Sequence, residues 1–173
     1  MEKEKRLVTM KGAPLTLTEK ELKVGDEVPD FEVLANDLST VKYSSFRSKV
    51  CVILSVPSLD TSVCDRMRRR FNTEAAGLGA NVAVMTISMD LPFAQKRWCG
   101  AAEAKNIQVF SDHRDASFGR AFGVLIKELR LLARSVFVVD KKGIIRYLQI
   151  VKELANEPDY EAALDAVRKL TQQ

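Results

Sequence analysis

Two stretches of this chain are apolar and β-branched with almost no polar interruption: "KVCVILSV" at residues 49–56 and "NVAVMTIS" at residues 81–88. A strand with one wet face alternates polar and apolar side chains, so unbroken runs of this kind belong to strands covered on both faces. Such strands sit in parallel sheets, and parallel neighbours must be joined by crossovers, usually helices. The segment between the two runs supplies one. After Thr61, Val63, Met67, Phe71 and Ala75 recur at helical spacing and form an apolar stripe, with "RMRRRF" placing arginines on the rest of the surface.

The rest of the chain extends the pattern. A helix is expected around "PFAQKRWCGAAEAK" and a short one in "RDASFGRAFG"; "RSVFVVD" and "IIRYLQI" read as strands joined by the turn "DKKG", hence a hairpin. The closing segment "EPDYEAALDAVRKLTQQ" repeats Tyr160, Leu164, Val167 and Leu170 at helical spacing. At the other end, residues 8–10 and 15–17 alternate around the turn "KGAP" as an N-terminal β-hairpin, and "DFEVLAND" and "STVKYSS" are short extended pieces about Asn36-Asp37. The order β-α-β-α-β-β-α behind a hairpin is that of an α/β thioredoxin-like sandwich, a central mixed sheet flanked by helices. No break in composition divides it, so one domain over residues 1–173 is expected, a length that affords a sizeable core.

Several function classes find no support. Among eight glycines there is neither a phosphate-binding Gly-x-x-x-x-Gly-Lys-[Ser/Thr] loop nor a dinucleotide-binding Gly-x-Gly-x-x-Gly turn, and a lone His113 leaves little for a Cys/His metal site. No cofactor and no metal are expected. The net charge of +4 is spread among alternating acids and bases, and the arginine run lacks interleaved aromatics, so no nucleic-acid partner is expected. The N-terminus has no apolar signal stretch, and no run approaches the roughly 18 apolar residues of a membrane span. A cytoplasmic protein without a membrane partner follows as the expectation.

Three cysteines, Cys51, Cys64 and Cys99, are too few for a secreted disulfide framework. Cys51 lies inside the first apolar run, where a desolvated thiol is inert. Cys64 is different. Pro57 turns the chain after that strand, Asp60 or Thr61 can cap the following helix, and Cys64 falls in its first turn. Unpaired N–H groups and the helix dipole there favour an anion, one way to bring a thiol below its ordinary value of about 8.5. Thr61, three residues earlier, can turn its hydroxyl toward the sulfur, and Arg68, one turn later, is the nearby cation on the same face. From position alone two readings stand: a nucleophilic thiol, or a small buried apolar side chain. Cys99 lies 35 positions beyond Cys64, not at the spacing of a Cys-x-x-Cys dithiol. A bond between them requires Cα atoms within about 7 Å, and hence rearrangement.

"PSLDTSVC" has the pattern Pro-x-x-x-Thr-x-x-Cys and resembles the segment around the peroxide-attacking cysteine of peroxiredoxins. "VTMKGAPLTL", "DLPFAQKRWCG", "FSDHRDASFGRAFGV", "ARSVFVVD" and "NEPDYEAAL" resemble, in order, the bacterial thiol peroxidase subfamily, the atypical 2-Cys peroxiredoxins. The resemblance runs from about residue 8 to residue 164. It implies a peroxidatic Cys64, a pocket formed by Thr61 and Pro57, Arg134 as the guanidinium that polarises peroxide, and Cys99 as the resolving cysteine. It further implies hydrogen peroxide and organic hydroperoxides as substrates, thioredoxin as reductant and a homodimer. Trp98 and Phe122 depart from the subfamily's more usual Phe and Tyr, and Cys51 has no counterpart role. Two rivals remain at this stage: a general thiol-disulfide oxidoreductase, disfavoured by the missing Cys-x-x-Cys, and a non-catalytic peroxide sensor.

Overall fold

The computed structural model describes residues 5–102 and 106–172. Strands β1 (Leu7–Met10) and β2 (Ala13–Thr16) form the expected antiparallel hairpin. Its loop is tighter than "KGAP" suggested: Lys11 and Gly12 make the turn with φ of +50° and +81°, and Pro14 lies within β2 opposite Thr9. Two positive φ values give a turn whose twist matches that of the strands, and a two-stranded ribbon can accept a residue without an N–H. Next come β3 (Glu32–Leu34) and β4 (Thr40–Lys42), paired antiparallel about Asn36-Asp37, then a 3₁₀ turn over Tyr43–Phe46.

The two apolar runs become β5 (Val50–Ser55) and β6 (Val82–Ser88), parallel neighbours joined through α1 (Ser62–Ala75). Helix α2 (Pro92–Ala102) follows; residues 103–105 of the expected helix lie outside the described residues. The chain then adds β7 (Gln108–Ser111), α3 (Ser117–Ala121), the short pair β8 (Leu125–Ile126) and β9 (Leu131–Leu132), the hairpin β10 (Ser135–Val139) and β11 (Ile145–Ile150), and α4 (Tyr160–Thr171). Seven strands make one mixed sheet in the order β11-β10-β5-β6-β7-β3-β4, with β5, β6 and β7 parallel and the other pairs antiparallel. This is the expected thioredoxin-like sandwich.

Strand β7 was not expected. Four residues, two of them Gln and Ser, are too short to display a period, and what makes them a strand is the open edge of β6 on one side and β3 on the other. Strands β8 and β9 are two residues each and equally silent in the sequence.

The sheet divides the core in two. Alternate side chains of β5 go to opposite faces: Cys51 and Ile53 join Phe31, Phe118, Phe122 and Phe137, whereas Val50, Val52 and Leu54 join Met67 and Phe71 of α1 and Leu164 and Val167 of α4. Each such fully buried side chain contributes roughly 1.5–3 kcal/mol. Trp98 and Cys99 of α2 pack on the second of these clusters, which also holds Cys64. The sheet thus separates Cys51 from the other two cysteines. Among the described residues no helix is long and apolar enough to cross a membrane.

Candidate active site

Strand β5 ends at Ser55, and the buried Pro57 turns the chain away from the sheet. The loop that follows is tied down by Asp90, just past β6. Its carboxylate accepts from the Ser58 hydroxyl and from the Leu59 N–H, both at 2.8 Å, and from the Ser88 hydroxyl at 2.7 Å. Thr61, extended at φ −86° and ψ 147°, is the N-cap of α1; its hydroxyl oxygen accepts from the Cys64 N–H at 3.2 Å. Capping therefore brings the same hydroxyl to the sulfur, to which it donates at 2.6 Å.

A second donor arrives from the start of β10, the strand paired with β5. Arg134 stands immediately before β10, and its Nη1 donates to Cys64 Sγ at 3.0 Å. The guanidinium is aimed by one acceptor: Nε and Nη2 both donate to the Leu154 carbonyl, at 3.1 and 3.0 Å. Ser55 donates to the carbonyl of Ala133 at 2.7 Å and pairs with the Ser135 hydroxyl, fixing the backbone on both sides of Arg134. Only 1 % of Arg134 and 1 % of Cys64 are exposed. Among the described residues Arg134 has no carboxylate within ion-pair distance, although a buried cation is costly without an anion. The polar groups that the guanidinium meets are the Leu154 carbonyl and the Cys64 sulfur.

Of the residues singled out from sequence, Cys64, Thr61 and Arg134 thus meet at one sulfur. Pro57 is buried at the turn that delivers the loop. Arg68 shares the buried side of α1, but among the described residues the side-chain donors to the Cys64 sulfur are Thr61 and Arg134; Arg68 Nη2 pairs with Asp65 at 2.8 Å and its guanidinium carbon lies 4.7 Å from the centre of the Trp98 ring. The rest of the arginine run is less idle than a solvated face. Arg66 pairs with Glu157, and Arg70 with Glu74 and Glu161, tying α1 to α4 and to the loop before it.

Cys99, on α2, is partly buried; all three cysteines are free thiols. Burial pushes the Cys99 thiol up, opposed by the nearby Asn36 side chain and by the charge of Arg68. Cys51 is fully buried, and desolvation pushes its thiol up to about 12. Among the described residues, His113 engages Ser111 and Arg130 through its backbone, and the side-chain donors to the Cys64 sulfur are Thr61 and Arg134 rather than a histidine. Sequence reading missed Asp90, Ser55 and Ser135. The one signal pointing to Ser55 was a hydroxyl interrupting an otherwise apolar buried strand.

Comparison with known proteins gives a consistent set of likenesses. The Redoxin family profile matches residues 23–164. A thiol peroxidase of Bacillus subtilis is 55% identical over 163 residues, covering 94% of this chain and 97% of that protein. One of Streptococcus pneumoniae is 48% identical over 164 residues, covering 95% of this chain and 100% of that protein. Among solved structures, a peroxiredoxin-like protein from Aquifex aeolicus superposes with a TM-score of 0.89 at 43% identity, covering 95% of this chain and 97% of that one. A thiol peroxidase from Chromobacterium violaceum superposes with a TM-score of 0.86 at 19% identity, covering 98% and 99%, a likeness of fold.

Proposed function

The chain belongs to the Redoxin family and is a thiol-dependent peroxidase, and on that premise we propose that Cys64 is the sulfur that attacks the peroxide and Cys99 the one that resolves it. The observation that carries the reading is the buried Arg134, whose Nη1 lies 3.0 Å from Cys64 Sγ with no carboxylate beside it among the described residues. A cation so placed can balance the charge of an attacking thiolate. When peroxide enters, it can share a donor with the oxygen on which charge develops.

The cycle follows. The thiolate of Cys64 attacks the terminal oxygen of ROOH, the O–O bond breaks, and ROH leaves with one proton from solvent, giving Cys64–SOH. Thr61 donates to the sulfur from the exposed side and is the hydroxyl an incoming peroxide meets. Cys99–SH then condenses with Cys64–SOH to form the disulfide and water. Both helices must yield locally, because in the reduced enzyme the Cys64 sulfur is turned to Arg134 and Thr61. A dithiol reductant of the thioredoxin type restores both thiols. The substrates are hydrogen peroxide and organic hydroperoxides; the working unit is a single domain over residues 1–173, paired as a cytoplasmic homodimer.

The test is peroxide consumption coupled to thioredoxin, with Cys64→Ser and Cys99→Ser beside the native enzyme. Cys64→Ser is expected to abolish turnover. Cys99→Ser is expected to reduce one equivalent of peroxide and then stall with thioredoxin. Full activity in Cys64→Ser would sink the assignment, and light scattering settles the dimer.

A further inference from the structure

Arg68 is a guanidinium only 4 % exposed that the peroxide chemistry does not use. It lies one helical turn after Cys64, and the ring it covers, Trp98, immediately precedes Cys99. Asp65, the residue next to Cys64, accepts from Arg68 Nη2 at 2.8 Å and orients the guanidinium plane on that ring. The three side chains therefore bridge the two cysteine-bearing helices at the positions flanking both sulfurs.

We propose that Arg68 is a positioning residue that latches α1 to α2 through Trp98, and that this latch opens before the oxidised Cys64 is resolved. The inference rests on the resolving role proposed for Cys99. In the closed arrangement the two sulfurs are not bonded to each other: Cys64 faces Arg134 and Thr61, and Cys99 remains a free thiol on α2. Unwinding the first turn of α1 to free Cys64 also carries the Asp65 carboxylate away from Arg68. The guanidinium then loses its carboxylate partner on α1, and its bridge from α1 to the turn of α2 bearing Cys99 is weakened. Opening at one cysteine is in this way transmitted to the other. While the latch is closed, Cys64–SOH waits, and two reactions compete for it. Cys64–SOH and Cys99–SH give the disulfide and water, whereas Cys64–SOH and a second ROOH give Cys64–SO₂H and ROH. Arg68 sets the partition between them.

The test uses the full-length reduced enzyme, mixed rapidly with hydrogen peroxide, quenched by thiol alkylation and read by mass spectrometry as disulfide, sulfenic and sulfinic forms. Arg68→Met is expected to form the Cys64–Cys99 bond about tenfold faster, the order of effect a desolvated cation–π contact commands. The sulfinic fraction at high peroxide should fall in step, while the first reaction of Cys64 with peroxide keeps its native rate. Trp98→Phe, which keeps a smaller ring and no change of charge, should fall between native and Arg68→Met; it decides the matter alone if Arg68→Met does not fold. Native or slower disulfide formation in both variants overturns the latch, as does an effect confined to the first reaction. If the native enzyme itself forms no Cys64–Cys99 bond, the resolving role falls and the latch with it, which separates that failure from the other.

Discussion

Arg134 donates to the Leu154 carbonyl through Nε and Nη2 and to the Cys64 sulfur through Nη1, which also lies 3.9 Å from the Met67 sulfur. A lysine cannot reproduce this, since an ammonium is a point charge without the planar fork. Arg134→Lys should therefore lose about 100-fold in kcat/KM for peroxide, the order seen when one donor to developing charge is removed. Stopped-flow oxidation of Cys64 reads this directly, and a native rate would refute the role. Thr61→Val should lose peroxide reactivity and, through the missing cap, about 1 kcal/mol in urea unfolding, whereas Thr61→Ser should keep most of both. Cys64 and Thr61 were legible in the sequence because their relation is local: a cap and a thiol three residues apart in one turn. Arg134 was legible only through family resemblance, because nothing near it in the chain shows that it meets a sulfur 70 positions away.

Among the elements, α3 has the least local support. It is five residues long, and its N-cap position is Ala116 at φ +49°, with no side chain to offer. Asp112, just after β7, does the capping from a distance, accepting from the N–H groups of Phe118 at 3.0 Å and Gly119 at 2.8 Å. Burial pushes its carboxyl from 3.8 up to about 6, against the pull of those two bonds. A raised carboxyl binds its proton more tightly in the folded state, so its contribution is full below about pH 4 and lost as pH rises through about 6. Over that interval the native protein should lose up to about 3 kcal/mol relative to Asp112→Asn. Urea titrations of both proteins between pH 4 and 7 measure the difference, and parallel pH profiles would count against the buried carboxyl. The arginine run on α1 teaches the complementary lesson. Helical spacing identified the apolar stripe of Val63, Met67 and Phe71 correctly, but it could not show that Arg66 and Arg70 would find Glu157 and Glu161 near and on α4.

At the scale of the whole molecule the sheet decides which cysteines can pair. Cys51 and Cys64 belong to core clusters on opposite faces, while Cys99 packs against the cluster that holds Cys64. Peptide maps of peroxide-treated enzyme should therefore contain Cys64–Cys99 and leave Cys51 free, and Cys51→Ala should turn over at the native rate. A Cys51–Cys64 peptide would contradict the layering as well as the mechanism. The amino-acid sequence by itself determined the parallel core strands, the helices between them and the capped thiol of Cys64, because periodicity and capping are short-range consequences of backbone geometry. Only the tertiary structure decided that residues 108–111 become β7, that Leu154 aims Arg134 at the sulfur, and that Arg68 turns to Trp98. Those outcomes depend on which surfaces the crossovers bring together, and a linear pattern contains no term for contact between residues so far apart.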